Sequence, residues 1–179
     1  MSNILTLHAA SIAHNSLAYI FAASTGSGKT TLTAYLSESG CGYISDDETR
    51  IDMTSLRVHS DPKPLHLREE SVPVLRSFGI DITAPVTVTE AFRRIVYLPD
   101  SFAYGDFPIG GLFFIRRDKS ENSCRPIPPA EAVQLIIQNL ISPDVDMSAC
   151  LHCAIKLAPK CKKLVYSDMS YVLETLKNE

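Results

Sequence analysis

Two short segments of this chain carry residue types whose spacing could do chemistry. The first is Ala23-Ser24-Thr25-Gly26-Ser27-Gly28-Lys29-Thr30, with Thr31 behind it. It has the A/G-x-x-x-x-G-K-S/T form of a phosphate-binding loop, with Ala where Gly is the commoner first residue. Gly26 and Gly28 would let the backbone wrap a phosphate chain with its N–H groups turned inward, and a helix starting there would add the positive end of its dipole. Lys29 would neutralise the β- and γ-phosphates, and Thr30 would offer its hydroxyl to the Mg²⁺ that bridges them. Chance produces this pattern in about one chain in a hundred of this length, and the apolar strand before it and amphipathic helix after it lower that further. Ser24, Thr25, Gly26, Ser27, Gly28, Lys29, Thr30 and Thr31 are therefore the expected binding residues for a nucleotide, and the motif does not choose between adenine and guanine.

The second segment is Asp46-Asp47-Glu48. Neighbouring side chains on an extended segment point to opposite sides, so one carboxylate could hold Mg²⁺, directly or through water, while the other reaches an acceptor hydroxyl. In isolation such a triplet reads as a solvated acidic turn. Here it follows the loop by one helix and one strand, where phosphate-loop proteins need an acid. Thr30 and one aspartate are the expected metal-side residues.

The surrounding pattern predicts elements that would position these groups. Ile4 to Ala13 and Leu17 to Ala22 are apolar segments separated by His14-Asn15-Ser16, a β-hairpin whose second strand runs into the loop. Lys29 to Ser39 is helical, with Leu32, Tyr35 and Leu36 on one face and Gly40 as C-cap. Gly42 to Ser45 is a short strand ending in the acids, followed by strand-like Thr49 to Asp52 and Leu56 to His59. Asp61 to Pro85 is broken by prolines; Phe92 to Leu98 and Leu112 to Ile115 read as strands, the latter introduced by Gly110-Gly111. Pro128-Pro129 opens a helix through Ile141 with Val133, Ile136, Ile137, Leu140 and Ile141 facing inward. A further helix, a short strand at Leu164 to Tyr166 and a last helix follow.

Composition narrows the classes. The chain has 179 residues, 45% hydrophobic and 21% charged, which excludes disorder, collagen and coiled coil. Without repeats or a linker it reads as one domain over residues 1–179. Seventeen Lys and Arg against 20 Asp and Glu leave a net charge of −3, so no general basic field exists to hold nucleic acid. The longest apolar stretches are about half the roughly 20 residues that a membrane helix needs, and no secretory signal is visible, so no membrane partner and a cytoplasmic location are expected.

Five cysteines suit reduced thiols rather than a disulfide framework. Cys150, His152, Cys153 and Cys161 could in principle supply zinc ligands, but Met147, Cys150, Cys153, Ala154 and Leu157 have the spacing of a buried helical stripe, which is the preferred reading. Cys124 lies in an expected loop with no base in sight. Arg93-Arg94 and Arg116-Arg117 flank apolar strands and could hold an anion; paired arginines at strand ends are more often solvated, and neither pair is assigned a role.

On three features the sequence resembles the HPr serine kinase/phosphorylase family, whose nucleotide fold is akin to that of phosphoenolpyruvate carboxykinase. These are Leu7-His8-Ala9-Ala10-Ser11-Ile12 leading through a hairpin into the loop, the loop Ser24 to Thr31 itself, and Gly42-Tyr43-Ile44-Ser45-Asp46-Asp47-Glu48. The match covers Leu7 to about Asp52, roughly a quarter of the chain. Leu75-Arg76-Ser77-Phe78-Gly79-Ile80-Asp81 is similar to the family's Arg-Gly-x-Gly-Ile signature, with Val74 where the family has Glu; the family's separate N-terminal domain has no counterpart.

The resemblance implies an α/β phosphate-loop domain with a mixed sheet and packed helices. It implies an enzyme that uses ATP and Mg²⁺ to phosphorylate a serine hydroxyl on a protein or peptide. Asp46 would be the base, Asp47 would lie near Mg²⁺, and His8 would sit behind the aspartates, orienting or tuning one of them. Arg76 would meet phosphate or substrate if it is not a surface arginine, and assembly as a homo-oligomer is implied. The alternatives are a small-molecule kinase on the same scaffold and a non-catalytic nucleotide-binding regulatory module.

Overall fold

The computed structural model describes residues 3–24, 26–82, 86–88, 93–141 and 146–179. It opens with the expected hairpin. Strands β1 (Ile4–His14) and β2 (Leu17–Ala22) meet through Asn15 and Ser16, at φ 49° and 64°. Two successive left-handed residues form a tight turn whose twist matches that of antiparallel strands. Helix α1 (Lys29–Glu38) follows the loop, then β3 (Gly42–Ser45), β4 (Glu48–Asp52) and β5 (Arg57–His59).

The proline-broken stretch from Asp61 onward holds more regular structure than its composition indicates: β6 (Leu65–Arg68) and α2 (Ser71–Arg76) lie within it. Strands β7 (Val86–Val88) and β8 (Arg93–Tyr97) complete a three-stranded antiparallel sheet in the order β6-β8-β7. Pro85 and Phe92, which the sequence placed at the edges of these segments, lie outside the described residues.

Strand β9 (Asp106–Arg117) is longer than expected and contains Gly110 and Gly111 rather than starting after them. A Cβ at Gly110 would stand 2.8 Å from the Tyr19 ring, and the ladder with β2 shifts register between Ala18 and Tyr19. Glycine here makes room for an aromatic ring at a bulge. The chain ends with β10 (Ser123–Pro126), α3 (Pro129–Gln138), α4 (Met147–Leu157), β11 (Cys161–Tyr166) and α5 (Met169–Lys177). Cys124, expected in a loop, is part of β10. Leu140 and Ile141 fall beyond α3, Leu140 partly covered and Ile141 exposed, so the helix buries Ala132 and Ile136 with Val133 and Ile137 only partly covered. Asp146 and Asp168 cap α4 and α5 by accepting from the Ser148 and Ser170 amides at 2.9 and 2.7 Å.

The main sheet runs β10-β11-β9-β2-β1-β4-β5, with β3 also paired to β1. Strand β5 pairs the start of β9 as well, so the strand path closes on itself. Strands β2, β9 and β11 are parallel and the other pairings antiparallel, which makes this a mixed α/β fold. Strand β2 is buried on both faces. Ala18, Ile20 and Ala22 join the core under α3 and α4, while Tyr19 and Phe21 join the core under α1, α5 and the small sheet. Period-two alternation thus feeds two cores from one strand. Leu32 and Leu36 anchor α1, each burial contributing about 2 kcal/mol. Among the described residues no helix is long and apolar enough to cross a membrane.

Candidate functional site

The parallel strands β2, β9 and β11 end at one edge of the sheet, and the loop from Ala23 to Gly28 leaves β2 there. Gly26 and Gly28 adopt φ of 85° and 88°, conformations that a side chain would strain. Within the loop the Ser27 amide donates to the Ser24 carbonyl at 3.2 Å, and the Leu32 amide donates to the Gly28 carbonyl at 2.9 Å to start α1. Gly28 is the N-cap and no side chain caps it, so the first-turn amides keep their donors for another acceptor.

Lys29 is only 7% exposed. Its ammonium donates to the Ala23 carbonyl at 2.7 Å and to His8 Nε2 at 3.2 Å. An ammonium has donors only, so the imidazole accepts at Nε2 and carries its proton on Nδ1. Burial lowers the Lys29 pKa, while the charges of Asp47 and Asp46 hold it up. His8, expected behind the aspartates, therefore makes its side-chain hydrogen bond to the loop lysine.

The acids sit at a corner between β3 and β4 that buried hydroxyls pin in place. Ser45 Oγ lies 3.2 Å from Ser11 Oγ and donates to the Glu48 carbonyl at 2.8 Å; Thr49 donates to the Ala9 carbonyl at 3.0 Å, and the Ala9 amide donates to the Asp47 carbonyl at 3.2 Å. The corner turns Asp46 inward, 8% exposed, and leaves Asp47 and Glu48 exposed. Asp46 Oδ1 is buried without a hydrogen-bond partner. Burial first, and the Asp47 charge second, push the Asp46 carboxyl up to about 7, with Thr30 and Lys29 pulling against them.

These residues surround one cavity of about 500 Å³: Gly26 to Thr31 on one side, with His8, Asp46 and Asp47. Ser24 is exposed and lines a different, smaller cavity, and Thr25 lies outside the described residues. Thr31 meets Ser71 at the start of α2, hydroxyl to hydroxyl at 2.8 Å, which ties α1 to α2.

Sequence reasoning did not single out Arg68 and Ser71, and it raised Arg94 and Arg117 as able to hold an anion without assigning them a role; all four border this cavity. For Arg117 a signal existed: it ends β9, in register with Tyr166 of β11, at the same sheet edge as the loop. Its neighbour Arg116 is instead paired with Asp118 at 2.8 Å and Glu121 at 3.5 Å. Arg76 ion-pairs with Asp81 at 3.1 Å on the surface, which is the surface-arginine reading. Its Gly79 takes φ 78°, the Gly79 amide donates to the Arg76 carbonyl and the Ile80 amide to the Leu75 carbonyl. That segment is a glycine C-cap of α2, and Val74 lines the cavity.

Among the described residues no cluster of three His, Cys, Asp or Glu is gathered as metal ligands. The donors at the cavity are hard oxygens: the Thr30 hydroxyl and two carboxylates, one with an orphaned oxygen. Such a sparse set fits Mg²⁺, which keeps waters and shares its remaining positions with phosphate oxygens. Cys150, Cys153 and Cys161 are packed in the core, and burial pushes the Cys153 and Cys161 thiols up to about 11 and about 12, so they remain protonated. His152 is exposed on α4 and bonds the Ser148 carbonyl at 2.8 Å.

No protein-family model matches the chain, and no curated protein matches it. Among solved structures it is similar to the HPr(Ser) kinase/phosphatase from Coxiella burnetii, with a TM-score of 0.46 and 10% identity over 97% of this chain and 93% of that one. At that distance the likeness carries nothing about activity, which rests on the residues of this chain.

Proposed function

We propose that the chain is an ATP- and Mg²⁺-dependent kinase that transfers the γ-phosphoryl group to a serine hydroxyl of a protein or peptide. The observation that carries this reading is Asp46: a nearly buried carboxyl with an unpartnered oxygen, held near neutrality beside a phosphate loop. A carboxylate whose pKa lies close to the operating pH is well matched to general-base work. The loop amides and Lys29 hold the phosphate chain, and the helix start adds its dipole. His8 fixes the direction of the Lys29 ammonium.

Thr30 and Asp47 would hold Mg²⁺, which when bound neutralises charge on the transferring phosphates. Its presence would also favour ionised Asp46. The carboxylate then accepts the serine proton as the hydroxyl attacks. A cavity of about 500 Å³ suits one ligand of nucleotide size, so the acceptor hydroxyl has to be brought in from solvent, as a side chain on a peptide is.

The test is transfer from radiolabelled ATP to serine peptides by the wild type and by Asp46→Asn. Labelled phosphoserine should fall 10²- to 10⁴-fold in the variant, the usual worth of a general base, while ATP binding persists. Wild-type transfer in Asp46→Asn would overturn the assignment of the base, and ATP binding without transfer to any hydroxyl would overturn the kinase.

A further inference from the structure

The cavity has two ends, because strands on both sides of the loop feed it. Strand β3 is antiparallel to β1, and β1 to β2, so β3 runs in the same direction as β2, β9 and β11 and ends at the same edge. Along that edge the order is β3, β1, β2, β9, β11. The acids follow β3, the loop follows β2, and Arg117 and Tyr166 end β9 and β11. Measured along the sheet at about 4.8 Å per strand, the ends of β3 and β11 stand about 19 Å apart with the loop between them. The small sheet belongs to the acid end: Tyr43 of β3 donates its hydroxyl to the Lys63 carbonyl, just before β6, at 2.7 Å. Helix α5 belongs to the other, since it opens at Met169 just after β11.

Alternation puts Arg117 on the loop's side of β9. Ile115 joins the core under α1 and α5, and Arg117 shares its face and borders the main cavity; Arg116 shares the face of Phe114 and borders the smaller cavity instead. Tyr166 and Met169 are nearly buried and line the same end. A Cβ at Gly28 would stand 4.0 Å from the Tyr166 hydroxyl, so the loop lies against this end. Among the described residues the Arg117 guanidinium makes no hydrogen bond or ion pair, and the adjacent carboxylate, Asp118, is taken by Arg116.

The kinase reading puts the γ-phosphate at the acid end, where Asp46 has to reach the attacking hydroxyl, and the loop amides hold the phosphates behind it. The acceptor needs the acid end, so the rest of the nucleotide leaves the loop in the other direction. We propose that the nucleoside of ATP lies at the β9–β11 end of the cavity, its base stacked on the Arg117 guanidinium over Tyr166 and Met169. A planar guanidinium suits the face of a base, and a methionine side chain gives it an adaptable apolar floor. This rests on the kinase reading above and specifies which way the nucleotide lies in its site.

Calorimetric titration of the full chain with Mg²⁺ tests it without turnover, using a non-hydrolysable ATP analogue and inorganic tripolyphosphate as the two probes. The wild type should bind the analogue more tightly than tripolyphosphate. Arg117→Ala should weaken the analogue about tenfold, as loss of one stacking contact implies, and leave tripolyphosphate unchanged, which also shows that the variant is folded. Equal affinity of the wild type for both probes overturns the proposal, as does an Arg117→Ala variant that keeps the analogue or loses both probes alike, because the arginine would then be idle or serve phosphate. Photolabelling with an azidoadenosine triphosphate should mark the tryptic peptide running from Leu164 to Lys177; label on the segment of β6 and α2 instead overturns the orientation. If these binding results are found but no phosphoryl group reaches any hydroxyl, the nucleoside site stands and the kinase reading fails. If transfer to serine is found with the label on the small sheet, the kinase reading stands and this inference fails.

Discussion

On the face of the main sheet covered by α3 and α4, Ile136, Cys150, Cys153, Ala154 and Leu157 pack against the strands, and α4 is closed by an Asp146 cap. At the sheet edge where β2 runs into α1, the chain instead buries Lys29 and Asp46 and leaves Ser27 Oγ and Asp46 Oδ1 without partners. The third such atom among the described residues is Ser37 Oγ, further along α1. Burying an unpartnered carboxyl oxygen is costly. Among the described residues, the first region has no buried side-chain polar atom without a partner, whereas the second holds two of them beside the candidate cavity. The contrast is one of energy rather than of cavity shape, and it falls where the site is proposed.

The pH dependence of stability should show the contrast most strongly. Burial pushes the Asp46 carboxyl up to about 7 in the folded chain, against the ordinary aspartate value of 3.8, so between these values the folded state holds a proton that the unfolded state has released. Its contribution is fully present below about pH 4 and is lost as pH rises through about 7. The shift corresponds to about 4 kcal/mol. Urea unfolding of the ligand-free protein should show wild type losing that much relative to Asp46→Asn between pH 4 and 8. Parallel curves for the two proteins would mean that Asp46 is not buried as an acid.

Lys29→Ala comes next. Calorimetric titration should show ATP affinity falling about 100-fold, the worth of a strong charge-assisted contact. An unchanged affinity would remove the loop from the site. On the other face, Cys153→Ala should lower unfolding stability by about 1 to 2 kcal/mol through loss of buried packing, with ATP affinity unaltered; a change in nucleotide binding would erase the separation between the two regions. The smallest effect belongs to Arg76→Ala, which breaks an exposed pair with Asp81 and should change stability by less than about 0.5 kcal/mol. Loss of peptide or nucleotide binding in that variant would return Arg76 to the site.

Much of the site was legible because its parts are local. The loop from Ser24 to Thr31, the hairpin before it and the helix after it are set by glycine positions, a two-residue turn and a helical stripe, all within a few residues of one another. The strand ending at Asp46 is similarly local. What escaped was non-local. The opposition of Arg68 and Arg94 joins residues far apart in sequence through a register that no short pattern encodes. Gly110 and Gly111 looked like a strand boundary because their partner, the Tyr19 ring, lies on another strand. Cys124 gained a strand only by pairing with Leu164.

The sequence by itself determined that a glycine-containing loop with the spacing of a phosphate-binding motif joins a strand to a helix, and that two acids follow at the end of the next strand, because backbone conformation and alternation act over a few residues. Only the tertiary structure decided which acid is buried, since Asp46 turns inward through a corner held by Ser11, Ser45 and Thr49 from three strands. It also decided that His8 meets Lys29, and that a second sheet sets two arginines beside the cavity. Burial and charge opposition are properties of neighbours in space, and those neighbours exist only once the strands have paired.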